Sequence, residues 1–377
     1  MAVEKFYGSK NKGLEGIVVC DTKVSSIVDN TLCYRGYAIE DLAEKASFEE
    51  ISYLIWNDKK PNSEELSQFK TLWAKEAQLD NDFVAFLKEL SKRSLKEAHP
   101  MHFLRTALSF IPMMTADADV NDDPTKVREH AINIAAKFGP IVAAYHRLKN
   151  GQELIAYNAQ KSVAWNFLNQ LTGKEPDEST AQDFDTCLIL HIDHGLNCST
   201  FTSKVTASTL SDVYSSVCSA IGSLKGPLHG GANEAVLKML NNEVKSLDNV
   251  DAFVDKALSE KRKVMGIGHR LYKNGDPRAK ILKKMSQRMT EKVGKADLYK
   301  MSDRIETQML EKKGLNCNVD FYSATVYDSM NIPSEIYTPI FAMSRVVGWT
   351  AHIMEQWTAN RIYRPNSEYT GQKNLSW

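Results

Sequence analysis

Apolar positions recur at three- and four-residue spacing along most of the chain, which is the period of an amphipathic helix. Phe48, Ile51, Leu54 and Ile55 form one such stripe. It follows Ser47 and Glu50, whose spacing is that of a capping box. Pro61-Asn62-Ser63 ends that helix and begins the next, with Leu66, Phe69, Leu72 and Trp73 as its stripe. A long helix is expected over about 125–149, kinked or ended near Gly139-Pro140 because proline lacks the backbone donor. TGKEPDEST at 172–180 reads as a polar connector. Thr338-Pro339 has the order of an N-cap and a first helical residue, for a helix running to about Trp357. Only residues 13–35 read as extended, with β-prone GIVVC and LCYRG separated by the turn-rich VDNT. There is no internal repeat and no low-complexity segment. The pattern predicts an all-α fold with one short β element near the start.

Composition adds limits. With 377 residues, 43% of them hydrophobic, the chain can bury a large core, and its length suggests two domains. The formal net charge is zero, without the basic excess of a nucleic-acid binder. An anionic ligand must then be met by a local cluster of arginines. The six cysteines contain no C-x-x-C pair, which argues for reduced structural thiols rather than a disulfide framework. The first thirteen residues lack the apolar run of a secretion signal, and no apolar stretch reaches the ~20 residues that span a bilayer. A cytoplasmic protein with no membrane or nucleic-acid partner is expected.

Three separated segments carry acid–base side chains among glycines or turn residues: GPLHGGANE at 226–234, MGIGHRLYKNGDPRAK at 265–280 and NVDFYSA at 318–324. His229, His269 and Asp320 would suffice for enolate chemistry, in which one group takes a proton from carbon, one stabilises the enolate oxygen and one activates the electrophile. Each residue also has a plain structural alternative. His229 could fill a turn, His269 could be a surface histidine, and Asp320 could cap a helix. Arg345 lies among Ile340, Phe341, Met343, Val346, Val347 and Trp349, so its charge must be paired or bind a ligand. His191 and His194 in HIDH invite a metal reading, but no third His or Cys stands at a matching spacing, and the expectation is no metal. G-x-G-x-x-G is absent, which leaves a dinucleotide fold unsupported. His99 and His102 suggest only structural roles.

These segments resemble the citrate synthase family, particularly its short dimeric bacterial type. LHIDHGLNCSTF at 190–201, GLEGIVVCDTKVSSI at 13–27, SRVVGWTAHIMEQ at 344–356 and RIYRP at 361–365 fall in that family's order and spacing, so the resemblance covers nearly the whole chain. It implies a large helical domain, 1–229 and 326–377, interrupted by a smaller helical domain, 230–325, with the site in the cleft between them. It implies condensation of acetyl-CoA with oxaloacetate. Asp320 would be the base on the acetyl methyl group, His229 would hold the thioester oxygen, and His269 would polarise the ketone and protonate the alkoxide. His194, Arg278, Arg345 and Arg364 would bind oxaloacetate, with Arg364 reaching the partner subunit's site in a homodimer. Val264, Gly266, Ile267 and Gly268 would hold the adenine of coenzyme A, Lys273 its phosphates and Asn318 its pantetheine arm. His191 would be structural. No metal or redox cofactor is implied, because the coenzyme A thioester is a substrate. At one position the chain departs from the pattern: Gly195 stands where many relatives have an acidic residue. With the segment GLEGIVV beginning at residue 13, no added N-terminal β domain is expected. Three rivals remain: a 2-methylcitrate synthase using propionyl-CoA, a metal-dependent hydrolase centred on His191 and His194, and a non-catalytic helical binding protein.

Overall fold

Asp29 and Asn30 both take left-handed backbone, φ 49° and 66°, the geometry that closes a two-residue hairpin. Around them β1 (Ser25–Val28) pairs antiparallel with β2 (Thr31–Tyr34), and β2 pairs with β3 (Tyr37–Ala38). This small sheet is the β element expected from VDNT and LCYRG. GIVVC, at 16–20, forms no strand. Val18 is 86% exposed, and without a partner edge β-prone residues gain nothing from extension. The computed structural model of the chain describes residues 13–14, 16–269, 271–272 and 274–377.

The rest is helical, as the periodicity predicts. The first helices are α1 (Ile39–Lys45), α2 (Phe48–Asn57), α3 (Ser63–Glu76), α4 (Asn81–Arg93), α5 (Pro100–Phe110) and α6 (Pro124–Lys149). They are followed by α7 (Val163–Thr172), α8 (Glu178–His191), α9 (Cys198–Ala207) and α10 (Val213–Leu224). The chain continues through α11 (Ala232–Lys238), α12 (Val250–Ser259), α13 (Pro277–Lys292), α14 (Ala296–Lys313) and α15 (Val319–Ser329) to α16 (Tyr337–Thr358). The capping box before α2 forms in full: the Ser47 side chain accepts from the Glu50 N–H while Glu50 returns to the Ser47 N–H. Such a cap stabilises a helix by about 1 kcal/mol. All four residues of its stripe are buried.

Two local expectations are corrected. α6 runs unbroken through Pro140. The proline removes one hydrogen bond, but Gly139 and Pro140 are buried, and a Cβ on Gly139 would come within 3.2 Å of Met343. Tertiary packing thus holds the helix that propensity alone would interrupt. α16 begins at Tyr337, with Ile336 at its N-cap. The Thr338 hydroxyl instead donates to the Gly230 carbonyl at 3.1 Å, tying α16 to the His229 turn.

Residues 337–353 of α16 are buried without interruption, as an all-round apolar helix requires. Around it pack α6, α8, α9 and α10, while α11 to α15 pack mainly on one another. Among the described residues, no helix is long and apolar enough to cross a membrane.

Candidate active site

His194 sits on the turn between α8 and α9, and the N-terminal sheet fixes that turn. The Tyr34 hydroxyl lies 3.0 Å from the Asp193 carbonyl and accepts from the Asp193 N–H at 3.3 Å. Ser25 of β1 donates its hydroxyl to the Asp193 carboxylate. Gly195 takes φ +56°, and its N–H donates to Asp193 Oδ2 at 3.1 Å. Glycine in place of an acidic residue thus permits a left-handed turn here. His194 is buried, with Nε2 3.0 Å from the Tyr272 hydroxyl. Its ring centroid lies 5.1 Å from that of His269 and 5.3 Å from that of Tyr272. Burial, then the Arg278 charge, lowers its pKa.

His269 has its protonation pattern set by backbone. The N–H groups of Leu271 and Tyr272 both donate to Nδ1, at 3.0 and 3.2 Å. A backbone N–H only donates, so Nδ1 is the acceptor and the neutral ring carries its proton on Nε2. His229 has the opposite tautomer. The Ser199 N–H, shared with Asn197 Oδ1 at 3.1 Å, donates to its Nε2 at 3.3 Å, which leaves the proton on Nδ1. Burial followed by Arg345 lowers the His229 pKa to about 4. Burial followed by Arg278 lowers that of His269 to about 4. Both rings are therefore neutral hydrogen-bond donors at neutral pH.

Asp320 lies in the first turn of α15 but is not its cap. Asn318 is the N-cap, its side chain accepting from the Asp320 N–H. Asp320 Oδ1 is buried with no hydrogen-bond partner, although the residue as a whole is only half-buried. Burial raises its pKa to about 6, against the lowering effect of Arg278. A desolvated carboxylate lacking a partner is a better base than an exposed one. The same α15 terminus is tied to the 264–268 strip. Ile267 and Cys317 form an antiparallel bridge, the Asn318 amide donates to the Gly268 carbonyl at 3.0 Å, and the Asn318 N–H donates to Gly266 at 2.9 Å. Gly266 is at φ +75°, where a Cβ would meet Phe321 and Val236 at 2.8 Å. The Asn318 side chain is thus engaged at both ends inside the chain. Val264 is buried at the head of the strip, and Gly268 has open space beside it.

The arginines divide. Arg345 is 1% exposed, donates Nε to the His191 carbonyl at 2.7 Å and lies over the Phe341 ring at 4.6 Å. Among the described residues it forms no ion pair, and burial lowers its pKa to about 10. Arg278 is also buried and paired with Asp276, Nε to Oδ1 at 3.0 Å and Nη2 to Oδ2 at 2.7 Å. Asp276 also accepts from the Val319 N–H at 3.2 Å, linking α13 to α15. Arg278 acts electrostatically on His194, His269 and Asp320, and Arg345 on His194, His229 and Asp320. The two arginines thus link the three histidines and Asp320 electrostatically. Arg364 does not join them. It is exposed on the C-terminal tail and donates to Asn366. Lys273 lies outside the described residues.

A cavity of about 1330 Å³ lies elsewhere, between residues 19–23 and the tail 361–365. It contains none of the three site histidines and not Asp320, so chemistry rather than size locates the site. His191 Nδ1 donates to the Cys187 carbonyl at 2.7 Å. Among the described residues no three His, Cys, Asp or Glu side chains are grouped to hold a metal ion. Sequence reasoning assigned no role at the site to Ser199, Tyr272, Asp276, Asp193 or His352, each of which makes at least one contact distant in sequence.

The family model for the citrate synthase C-terminal domain matches residues 13–366. The chain belongs to the citrate synthase family. It is 48% identical to citrate synthase 2 of Bacillus subtilis over 96% of this chain and 95% of that one. It is 39% identical to the 2-methylcitrate synthase of Shewanella oneidensis over 95% and 94%. Its structure is similar to that of the citrate synthase of Thermoplasma acidophilum in a ternary complex with carboxymethyl coenzyme A and oxaloacetate. The TM-score is 0.90, with 30% identity and 97% of each chain covered.

Proposed function

We propose that this chain condenses acetyl-CoA with oxaloacetate and water to give citrate and coenzyme A, with the residue roles that follow. Oxaloacetate carboxylates meet Arg278 and Arg345, and His194 supports its bound orientation. Asp320 removes a proton from the acetyl methyl group. His229 Nδ1–H donates to the thioester oxygen as enolate character develops, in a site where such a donor acts strongly. The carbon attacks the ketone, whose oxygen receives a hydrogen bond and then a proton from His269 Nε2–H. Water cleaves the citryl thioester and coenzyme A leaves as the thiol. No metal or redox group is needed in these steps.

The observation that carries this reading is the pair of opposite, backbone-imposed tautomers on His229 and His269, beside an unpartnered Asp320 carboxylate oxygen. It gives two neutral donors and one base, as an enolate addition requires. Citrate synthases at higher identity than the 2-methylcitrate synthase favour acetyl-CoA as donor. Carbon-13 NMR of the product from methyl-labelled acetyl-CoA and oxaloacetate tests the reading: label in a citrate methylene supports it, and unchanged acetyl-CoA refutes it.

We further infer a two-domain arrangement with 230–325 as the smaller unit. Its first crossing falls just before α11 and its second within α15. Coenzyme A would lie along 264–268, with Lys273 and Asn318 near its phosphates and arm. We also propose a homodimer in which the exposed Arg364 side chain reaches the partner subunit's site. The cysteines described are unpaired, in keeping with a reducing cytoplasm.

A further inference from the structure

One face of α16 carries Arg345, Gly348 and His352, at spacings of three and four residues, and all three bear on the turn that holds His194. Arg345 donates to the His191 carbonyl. Gly348 lets the turn approach closely: a Cβ there would lie 2.4 Å from the Ile192 carbonyl oxygen and 2.6 Å from Asp193 Oδ1. His352 Nε2 lies 3.2 Å from Asp193 Oδ2, and both side chains are almost wholly buried. Asp193 is thus a buried carboxylate directly before a substrate-site histidine. Its Oδ2 is shared by Ser25, Gly195 and His352, and its Oδ1 has no partner.

An uncompensated buried carboxylate is costly, and it repels an anionic ligand nearby. Besides His352, the cation acting on Asp193 is Arg345, the same group that oxaloacetate would need. We propose that His352 is a positioning residue for oxaloacetate: as an imidazolium paired with Asp193, it neutralises the carboxylate that shapes the His194 turn and leaves Arg345 to the substrate. The groups around His352 suit that charge. Asp193 faces one nitrogen, and Glu355 lies 3.7 Å from the other. Glu355 itself is held by the Lys23 N–H at 2.6 Å and by Lys204 at 3.7 Å. Burial pushes the His352 pKa down, but Asp193 outweighs it and the net shift is upward.

This inference rests on the citrate synthase reading, and the test separates the two. Turnover by the parent protein tests that reading; the ratio of variant to parent tests His352. H352Q keeps an N–H donor but removes the charge, whereas D193N/H352Q removes both charges. H352Q is expected to raise KM for oxaloacetate by about tenfold or more, as misplaced substrate groups do, with KM for acetyl-CoA little changed. D193N/H352Q is expected to return KM for oxaloacetate most of the way to the parent value. Calorimetric binding of oxaloacetate should follow the same order, and circular dichroism establishes that each variant is folded. A parent-like oxaloacetate KM in H352Q overturns the proposal, as does a folded double variant as weak as the single one. If H352Q is insoluble, the double variant decides: near-parent KM supports the proposal, and a tenfold rise overturns it.

Discussion

The backbone N–H of Ser199 donates to Nε2 of His229 at 3.3 Å, and the Ser199 hydroxyl lies 2.8 Å from the same nitrogen. That hydroxyl accepts from Trp349 Nε1 at 3.0 Å. One serine therefore orients the ring that would stabilise the enolate and links it to α16. S199A removes the hydroxyl contact and leaves the indole N–H without its partner. Turnover should fall about tenfold, the effect of ~1.4 kcal/mol, with KM for oxaloacetate little changed. Steady-state kinetics with each substrate varied checks this split.

Asp320 gives the sharpest loss. D320N keeps the shape of the side chain and would abolish the proposed base. Turnover should drop by about 10²–10⁴-fold, while calorimetry should still detect oxaloacetate binding. Turnover close to that of the parent would remove Asp320 from the role of base.

The pH profile follows from the same residue. Its folded pKa is raised to about 6 by burial, so the proton-bound, inactive form persists up to that pH. The rate constant kcat/KM should fall as pH drops through about 6, with a slope of one. The His229 and His269 pKa values, each about 4, place their titration below that limb, so neither adds a transition between pH 6 and 8. A two-proton slope near pH 6 would show that another group controls the rate.

Much of the candidate site was legible because its residues sit in unusual local sequence. His229 and His269 stand beside glycines, and Arg345 in a stretch too apolar to hold an idle charge. The helices were legible from their stripes, as at Phe48, Ile51, Leu54 and Ile55. What escaped depends on partners remote in the chain or on backbone groups. Nothing in GIVVC says that it lacks an edge to pair with, and nothing around Pro140 reveals the packing that carries α6 past it. The tautomers of His229 and His269 are set by Ser199, Leu271 and Tyr272 through backbone N–H groups, which carry no side-chain signature. Asp193 and His352 are 159 residues apart and meet only in the fold.

Gly348 supplies a packing test. G348A places a methyl group against the Ile192 carbonyl and Asp193. Overpacking of this kind costs about 1–3 kcal/mol. Lower thermal stability and a higher KM for oxaloacetate are expected together, because the displaced turn carries His194. Calorimetric unfolding and kinetics on one preparation check both.

If the chain forms the proposed homodimer, Arg364 and Asp320 of one site come from different subunits. R364L and D320N should each be nearly inactive alone. Mixed dimers, formed by unfolding and refolding the two together, would contain one site with neither substitution and should recover activity. Failure to recover in a mixture shown to contain mixed dimers would place Arg364 outside the partner's site.

The most direct test of the whole reading is release of coenzyme A thiol from acetyl-CoA and from propionyl-CoA, each with and without oxaloacetate, in excess chelator. Oxaloacetate-dependent release that favours acetyl-CoA and survives the chelator is expected. Release that ignores oxaloacetate, or none from either donor, would contradict the assignment. A preference for propionyl-CoA would retain the mechanism and move the chain to 2-methylcitrate synthesis.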